Sequence, residues 1–102
     1  MRAIEFLAPA QAELAEAIAY YDVRKPGLGS QFAEEVQRSI ERILQYPQAW
    51  SPISKRTRRC LTNRFPYALI YQIRDDVLLI VAVMHLRREP RTWKSRLRDM
   101  TG

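Results

Sequence analysis

The sequence contains few of the residues that build metal centres and disulfides: one cysteine, Cys60, and one histidine, His85, in 102 residues. A lone cysteine cannot form a disulfide within the chain, and with one histidine it cannot complete a zinc site. The longest apolar run, residues 77–84, is far shorter than the roughly 20 residues that cross a bilayer. Phosphate-binding loops, dinucleotide-binding loops and nucleophile elbows are also missing. These absences predict a protein without metal, cofactor or membrane span.

The start of the chain lacks the unbroken apolar stretch of a signal peptide, because Glu5 and Pro9 interrupt it. We therefore expect a cytoplasmic protein. A length of 102 residues fits one domain, and the three glycines form no linker-like segment that would divide the chain. A single domain over residues 1–102 is the resulting expectation.

Positive charge is concentrated in the second half of the chain. Residues 1–50 carry five basic and seven acidic side chains, a net charge of −2, whereas residues 51–102 carry twelve basic and four acidic ones, a net charge of +8. Such a field attracts polyanions and acidic proteins and accelerates their encounter. The second half is therefore expected to hold the contact surface.

Local patterns predict an α+β fold with the element order β-α-α-β-β-β. Apolar residues alternate with polar ones in the first predicted strand, and the other three predicted strands are runs rich in β-forming residues. In the predicted helices apolar residues recur every three or four positions, and Lys25-Pro26-Gly27 separates the two helices. The predicted strands are residues 4–6, 58–62, 67–74 and 77–86, and the predicted helices are residues 9–23 and residues 28 or 30 to 45. Residues 48–55 show no clear periodicity and are predicted as a loop.

The last three strands are expected to form an antiparallel meander packed against the helical hairpin. Both faces of residues 77–84 are apolar, which favours a strand in the middle of the sheet. One face of the preceding strand is predicted to be lined by residues with a period of two, namely Tyr67, Leu69, Tyr71 and Ile73. A basic tail follows the sheet, and Pro90 is suited to open a short helix in it.

A basic surface is the first candidate site. Its predicted members are Lys55, Arg56, Arg58, Arg59 and Arg64, joined across the sheet to His85, Arg87, Arg88 and the tail. Guanidinium groups bind phosphate in bidentate fashion, so this surface can hold a nucleic acid backbone. The alternative is a set of solvated charges on a strand face.

His85 is the candidate proton carrier, because histidine is the side chain that ordinarily titrates near neutrality. RNA cleavage would use His85 as base or acid and an arginine such as Arg59 or Arg88 to stabilise the charged phosphate. The alternative for His85 is a structural hydrogen bond at the end of its strand. Trp93 is predicted to anchor the basic tail against the body of the protein or to contact the target.

Two segments carry a family pattern. They are Phe65-Pro66-Tyr67 followed by Leu69, Ile70, Tyr71 and Ile73, and the spaced group His85, Arg88, Pro90 and Trp93. Upstream residues fit the same pattern in the same order: Pro9, Glu13, Leu14, Ala17, Tyr20, Tyr21, Gly27, Leu28, Gly29, Phe32, Val36, Pro47 and Trp50. Together they resemble the RelE/ParE toxin family over nearly the whole chain. The resemblance implies a toxin of a bacterial toxin-antitoxin pair, held in a heteromeric complex by a cognate antitoxin that blocks it.

The resemblance leaves two targets open. ParE-like members of the family poison DNA gyrase, whereas RelE-like members cleave messenger RNA on the ribosome. The double tyrosine Tyr20-Tyr21 and the Gly-Leu-Gly turn resemble the ParE side. RelE-like nucleases often have a tyrosine or histidine near the C-terminus, and in this sequence no tyrosine follows Tyr71. A ParE-like gyrase inhibitor is therefore the prediction. A ribosome-dependent endoribonuclease is the alternative, and an interaction protein without toxicity is a third.

Overall fold

The computed structural model describes residues 3–87 and 94–97. Its elements in chain order are β1 (Ala3–Phe6), α1 (Ala8–Arg24), α2 (Leu28–Gln45), β2 (Ser51–Pro52), β3 (Arg58–Leu61), β4 (Tyr67–Arg74) and β5 (Val77–His85). Residues 94–97 add one helical turn near the end of the chain. This arrangement confirms the predicted α+β fold.

The five strands form one mixed sheet in the order β1-β5-β4-β3-β2. β3, β4 and β5 form the predicted antiparallel meander, and β5 is an interior strand between β4 and β1. β1 pairs with β5 in parallel, which makes the sheet mixed rather than purely antiparallel. β2 lies inside the segment predicted as a loop, because a strand of two residues that includes Pro52 has no detectable period and fits only the edge of a sheet.

The two helices form the predicted hairpin, and two glycines set its turn. Gly27 has a φ of 89°, a left-handed conformation that glycine adopts without steric cost. Gly29 lies where α2 crosses α1, and its N–H donates to Asp22 Oδ1 at 2.8 Å. A Cβ atom at Gly29 would collide with the backbone oxygen of Ile18. The close approach of the helices therefore requires glycine at this position.

β4 and β5, the long strands of the sheet, are buried on both faces. On the helix face, β4 and β5 pack against both helices through residues that include Tyr67, Leu69, Tyr71, Leu78, Ile80 and Val83. On the opposite, outer face lies a second cluster, made of Ala68, Ile70, Leu79, Val81 and Ala82, with Ile53 and Leu97 packed against it. Burial on both faces explains why residues of β5 are apolar without alternation.

A β-bulge at Val81 resets the alternation of β5. Ile70 pairs with Ala82 and Tyr71 pairs with Ile80, so that Val81 is an extra residue on its strand. Val81 and Ala82 consequently both lie in the outer cluster, and Val83 returns to the helix face. Without the bulge, His85 would follow Leu79 onto the outer face, but with it His85 pairs with Tyr67 on the helix face.

No helix within the described ranges is both long enough and apolar enough to traverse a lipid bilayer.

Candidate target-binding surfaces

The predicted basic residues are divided between the two ends and the two faces of the sheet. Lys55 and Arg56 lie in the loop between β2 and β3, at the end of the sheet where β4 turns into β5. Arg64 lies in the turn between β3 and β4, at the other end, where its guanidinium donates to Gln31 Oε1 at 2.8 Å. Arg59 pairs with Ile70 and therefore lies on the outer face. The structure thus does not join these residues into one surface.

A basic cleft is formed where the C-terminal end of α2, the loop between β2 and β3, and the end of β4 meet. Its volume is about 560 Å³. It is lined by Pro47, Gln48, Lys55, Arg56, Arg58, Tyr71, Ile73, Arg74 and Asp75. Four of these side chains are cationic and one is a carboxylate, so the basic cleft is an anion-attracting site.

Hydrogen bonds to neutral groups hold two arginines of the basic cleft, Arg58 and Arg74, in place. Arg58 Nη1 donates to the backbone oxygen of Trp50 at 2.6 Å, and Arg74 Nε donates to Gln72 Oε1 at 2.8 Å. Gln72 is itself fixed by a hydrogen bond to Thr57. Among residues 3–87 and 94–97, no carboxylate forms an ion pair with any of the four cations of the basic cleft, Lys55, Arg56, Arg58 and Arg74. No ion pair with a described residue neutralises these four cations, so that an external anion can bind them.

Tyr71 closes the basic cleft from below. Its side chain is fully buried, and its hydroxyl donates to the backbone oxygen of Pro47 at 2.7 Å. Burial raises the pKa of Tyr71 to about 12, against a smaller lowering effect of the Arg58 charge. The hydroxyl is therefore neutral at physiological pH and ties the segment that follows α2 to β4.

His85 lies in a separate pocket on the helix face, near the start of β4. This His85 pocket has a volume of about 480 Å³ and is lined by Glu13, Glu16, Ala17, Tyr20, Tyr67, Val83, His85 and Arg87. The ring of His85 meets that of Tyr67 edge-on at 5.1 Å between centroids, and Nδ1 accepts the backbone N–H of Arg87 at 3.1 Å. Nδ1 therefore has a structural hydrogen bond of the kind expected at a strand end.

Two of the three predicted nuclease residues, His85 and Arg59, lie in the described part of the chain, and the structure separates them. His85 lies on the helix face and Arg59 on the outer face, because the bulge at Val81 reverses the alternation between them. This corrects the expectation that the basic strand residues join His85 across the sheet. Arg88, Trp93 and the predicted helix start at Pro90 lie outside the described residues. Arg87 lies beside His85, whereas Lys55 and Arg56 line the basic cleft.

Sequence reasoning missed an ion pair that connects α1, β5 and the C-terminal helical turn. Arg96 donates from Nη1 to Glu13 Oε1 at 2.9 Å and from Nη2 to Glu13 Oε2 at 2.8 Å. Arg96 Nη1 also donates to the backbone oxygen of Val81 at 2.9 Å, and Glu13 Oε1 accepts the N–H of Val83 at 3.1 Å. β1 ends opposite Ile80, so these side chains satisfy the backbone where β5 has lost its neighbouring strand. A separation of 83 residues hides such a pair from local patterns.

Cys60 is a core residue with no sign of reactivity. It is fully buried in β3, and burial raises the pKa of its thiol, which keeps it protonated. Across the described part of the chain, no three histidine, cysteine or carboxylate side chains are grouped as metal ligands.

Comparisons with known proteins agree with the fold. The family model described as the ParE toxin of the type II toxin-antitoxin system parDE matches residues 4–90. A solved structure, entitled the chromosomal ParDE TA system from P. aeruginosa, is similar with a TM-score of 0.72 and 13% sequence identity, over 85% of this chain and 98% of that chain. No curated protein matches the sequence.

At 13% identity the structural likeness shows the fold alone, whereas the family model covers most of the chain. Its matched segment contains the helical hairpin, strands β2 to β5, all of β1 except Ala3, and both cavities described above. The chain therefore belongs to the ParE toxin family of type II toxin-antitoxin systems.

Proposed function

We propose that this ParE toxin arrests bacterial growth by poisoning DNA gyrase and that a cognate antitoxin neutralises it. The family match over residues 4–90 is the observation that carries this proposal. Gyrase and its DNA are found in the bacterial cytoplasm, where we expect the protein to act. Inhibition of gyrase requires a contact surface rather than a catalytic constellation.

The geometry supports gyrase inhibition over RNA cleavage. A nuclease needs a base, an acid and a cation around one phosphodiester. His85 shares its pocket with Arg87 and the carboxylates of Glu13 and Glu16, and Glu13 is paired with Arg96. Arg59, a cation predicted to act with His85, is on the other face of the sheet. The described residues therefore contain no arrangement in which His85 and Arg59 could act on one bond.

The charge distribution supports a protein partner that is acidic or amphipathic. The second half of the chain carries twelve basic and four acidic side chains, and such a field accelerates association with acidic segments. We therefore propose that the antitoxin binds this half of the molecule and that the neutralised toxin is a heteromer.

Induced expression in a tester bacterium without the antitoxin tests the proposal. We expect growth arrest, filamentation and a DNA-damage response while transcripts stay intact. Co-expression of a small acidic protein encoded beside the toxin gene should restore growth. Rapid cleavage of translated messages would show a nuclease instead, and normal growth with soluble toxin would contradict both activities.

The His85→Ala variant separates the two activities in the same strain. A gyrase inhibitor that depends on a broad contact surface should keep its toxicity when His85 is replaced, because the ring makes structural contacts with Tyr67 and Arg87. Circular dichroism must show that the variant is folded. Loss of toxicity in a folded His85→Ala protein, with cleavage of messages by the wild type, would restore His85 as a catalytic residue.

A further inference from the structure

The basic cleft has an excess of unneutralised positive charge that the fold itself does not use. Lys55 and Arg56 are exposed, and neither forms an ion pair or side-chain hydrogen bond to another described residue. Arg58 and Arg74 are half-buried, and each guanidinium uses only some of its N–H groups in hydrogen bonds to neutral oxygens. Asp75 is the single carboxylate that the described part of the chain contributes to the lining. Like charges gathered without a partner are destabilising by themselves, so a ligand anion would relieve their repulsion.

The lining favours a phosphodiester backbone over bases. Among the described residues, Tyr71 is the only aromatic side chain that lines the basic cleft. It is fully buried, with its hydroxyl bonded to the backbone oxygen of Pro47, so that it offers no face for stacking. Proteins that bind single strands present exposed aromatic rings to the bases. Arginine and lysine without such rings contact phosphates and give affinity without sequence choice.

The same lining is poorly suited to an acidic peptide. Tight peptide and protein contacts depend on anchor side chains, chiefly aromatic or arginine, that fill well-packed and desolvated pockets. Besides buried Tyr71, the apolar side chains in the basic cleft are Pro47 and Ile73, and both are already half-buried within the fold. The part of the basic cleft that an incoming molecule contacts is therefore mainly cationic. A regular row of phosphates matches these cations better than the side chains of a peptide do.

We infer that the basic cleft binds the phosphate backbone of duplex DNA through Lys55, Arg56, Arg58 and Arg74. The inference deepens the proposed function and rests on it for its biological setting, because gyrase presents duplex DNA to an inhibitor bound beside it. The toxin then holds both the enzyme and its DNA. Binding is independent of base sequence and weakens steeply with salt.

Fluorescence anisotropy of a labelled DNA duplex with the purified toxin tests the inference. If all four cations contact phosphates, the slope of log K against log salt should be about −3.6 between roughly 50 and 200 mM salt. The Lys55→Gln/Arg56→Gln double variant should bind at least about tenfold more weakly, and its slope should be smaller by about 2. These exposed side chains can be replaced without disturbing the core.

Two further variants make the result specific to the basic cleft. Arg24→Gln/Lys25→Gln removes the same charge from the exposed C-terminal end of α1 and the turn that follows it, and this variant should bind almost as tightly as the wild type. Asp75→Asn removes the carboxylate of the lining and should bind more tightly. Asparagine tolerates the left-handed backbone of residue 75, which has a φ of 53°. Equal weakening by both double variants would reduce the effect to net charge and overturn the inference.

Competition identifies the ligand class. Unlabelled duplexes of different sequence should displace the probe equally, and a poly-glutamate peptide of equal charge should displace it less well. Tighter, Lys55- and Arg56-dependent binding of the peptide would assign the basic cleft to a protein partner and overturn the inference.

Gyrase assays with the same variants distinguish failure of the DNA-binding inference from failure of the proposed function. A wild-type protein that binds DNA through the basic cleft but leaves gyrase active would contradict gyrase poisoning and leave the DNA site in place. A protein that inhibits gyrase while the Lys55→Gln/Arg56→Gln variant binds DNA normally would contradict the DNA site alone.

Discussion

At the scale of single residues, the contacts of the buried carboxylate Glu35 are the hardest to predict from the sequence. Glu35 of α2 is buried, and it accepts hydrogen bonds from Arg42 Nη2 at 2.9 Å, from Ser39 Oγ at 3.2 Å and from the backbone N–H of Asn63 at 2.7 Å. The last bond ties α2 to the turn between β3 and β4. Burial alone would raise the pKa of Glu35, but these bonds and the Arg42 charge outweigh it and lower the pKa.

Glu35 therefore stabilises the fold in a pH-dependent way. Because its folded pKa is lowered, the stabilisation is present at neutral pH and is lost as the pH falls through the folded pKa. Glu35→Gln should lower the free energy of unfolding by about 2 kcal/mol at pH 7, and its difference from the wild type should shrink in acid. Urea unfolding at several pH values measures this. Glu34→Gln, at an exposed ion pair, is the control and should change little.

Single residues also show what sequence patterns can and cannot place. The period of two in Tyr67, Leu69 and Tyr71 predicted their shared face, and the structure confirms it. The same alternation could not place His85, because one extra residue at Val81 reverses every side chain that follows. A bulge has no sequence signature in a strand that is apolar on both faces. The sequence pattern therefore could not show that His85 and Arg59 lie on opposite faces of the sheet.

At the scale of secondary-structure elements, breaks and periods predicted the helices and long strands well. Lys25-Pro26-Gly27 separates α1 from α2 as expected, and the meander of β3 to β5 has the predicted order. The parallel pairing of β1 with β5 depends on contacts between residues more than 70 positions apart, such as Ala3 with Val77. Local patterns carry no information on such pairs.

The crossing of α1 and α2 depends on Gly29. Gly29→Ala should lower the free energy of unfolding by about 1–3 kcal/mol, because the new Cβ must push the backbone of Ile18 and the Asp22 side chain away. Thermal or urea unfolding measures the loss. Ser30→Ala, one residue further on the exposed side of the same helix, should leave stability nearly unchanged. Equal stability of both variants would mean that the helices cross at a greater distance.

The Glu13–Arg96 pair fastens the C-terminal helical turn to the sheet. A double-mutant cycle with Glu13→Gln and Arg96→Gln should give a coupling energy of about 1 kcal/mol, since both side chains are partly buried and form two charge-assisted hydrogen bonds. The Val83 amide should also exchange faster with solvent in each variant. Glu16→Gln, one turn away from these contacts, is the matched control. A coupling near zero would show that the two side chains act independently.

At the scale of the whole molecule, the fold was predictable and the site was not. Periodicity and helix breaks are local properties, whereas both cavities are assembled from elements distant in sequence. The basic cleft joins residues 47–48 to residues 55–58 and 71–75, and the His85 pocket joins α1 to β5. The uneven charge predicted that the second half holds a contact surface, and four cations from that half line the basic cleft.

Gyrase inhibition is the central claim, and purified gyrase tests it most directly. With relaxed plasmid and ATP, we expect the folded toxin to inhibit negative supercoiling and to trap cleaved DNA, and we expect the His85→Ala variant to do the same. Antitoxin added in equal amount should restore supercoiling. Full gyrase activity in the presence of toxin, together with cleavage of messenger RNA on translating ribosomes, would contradict the account and identify the protein as a nuclease.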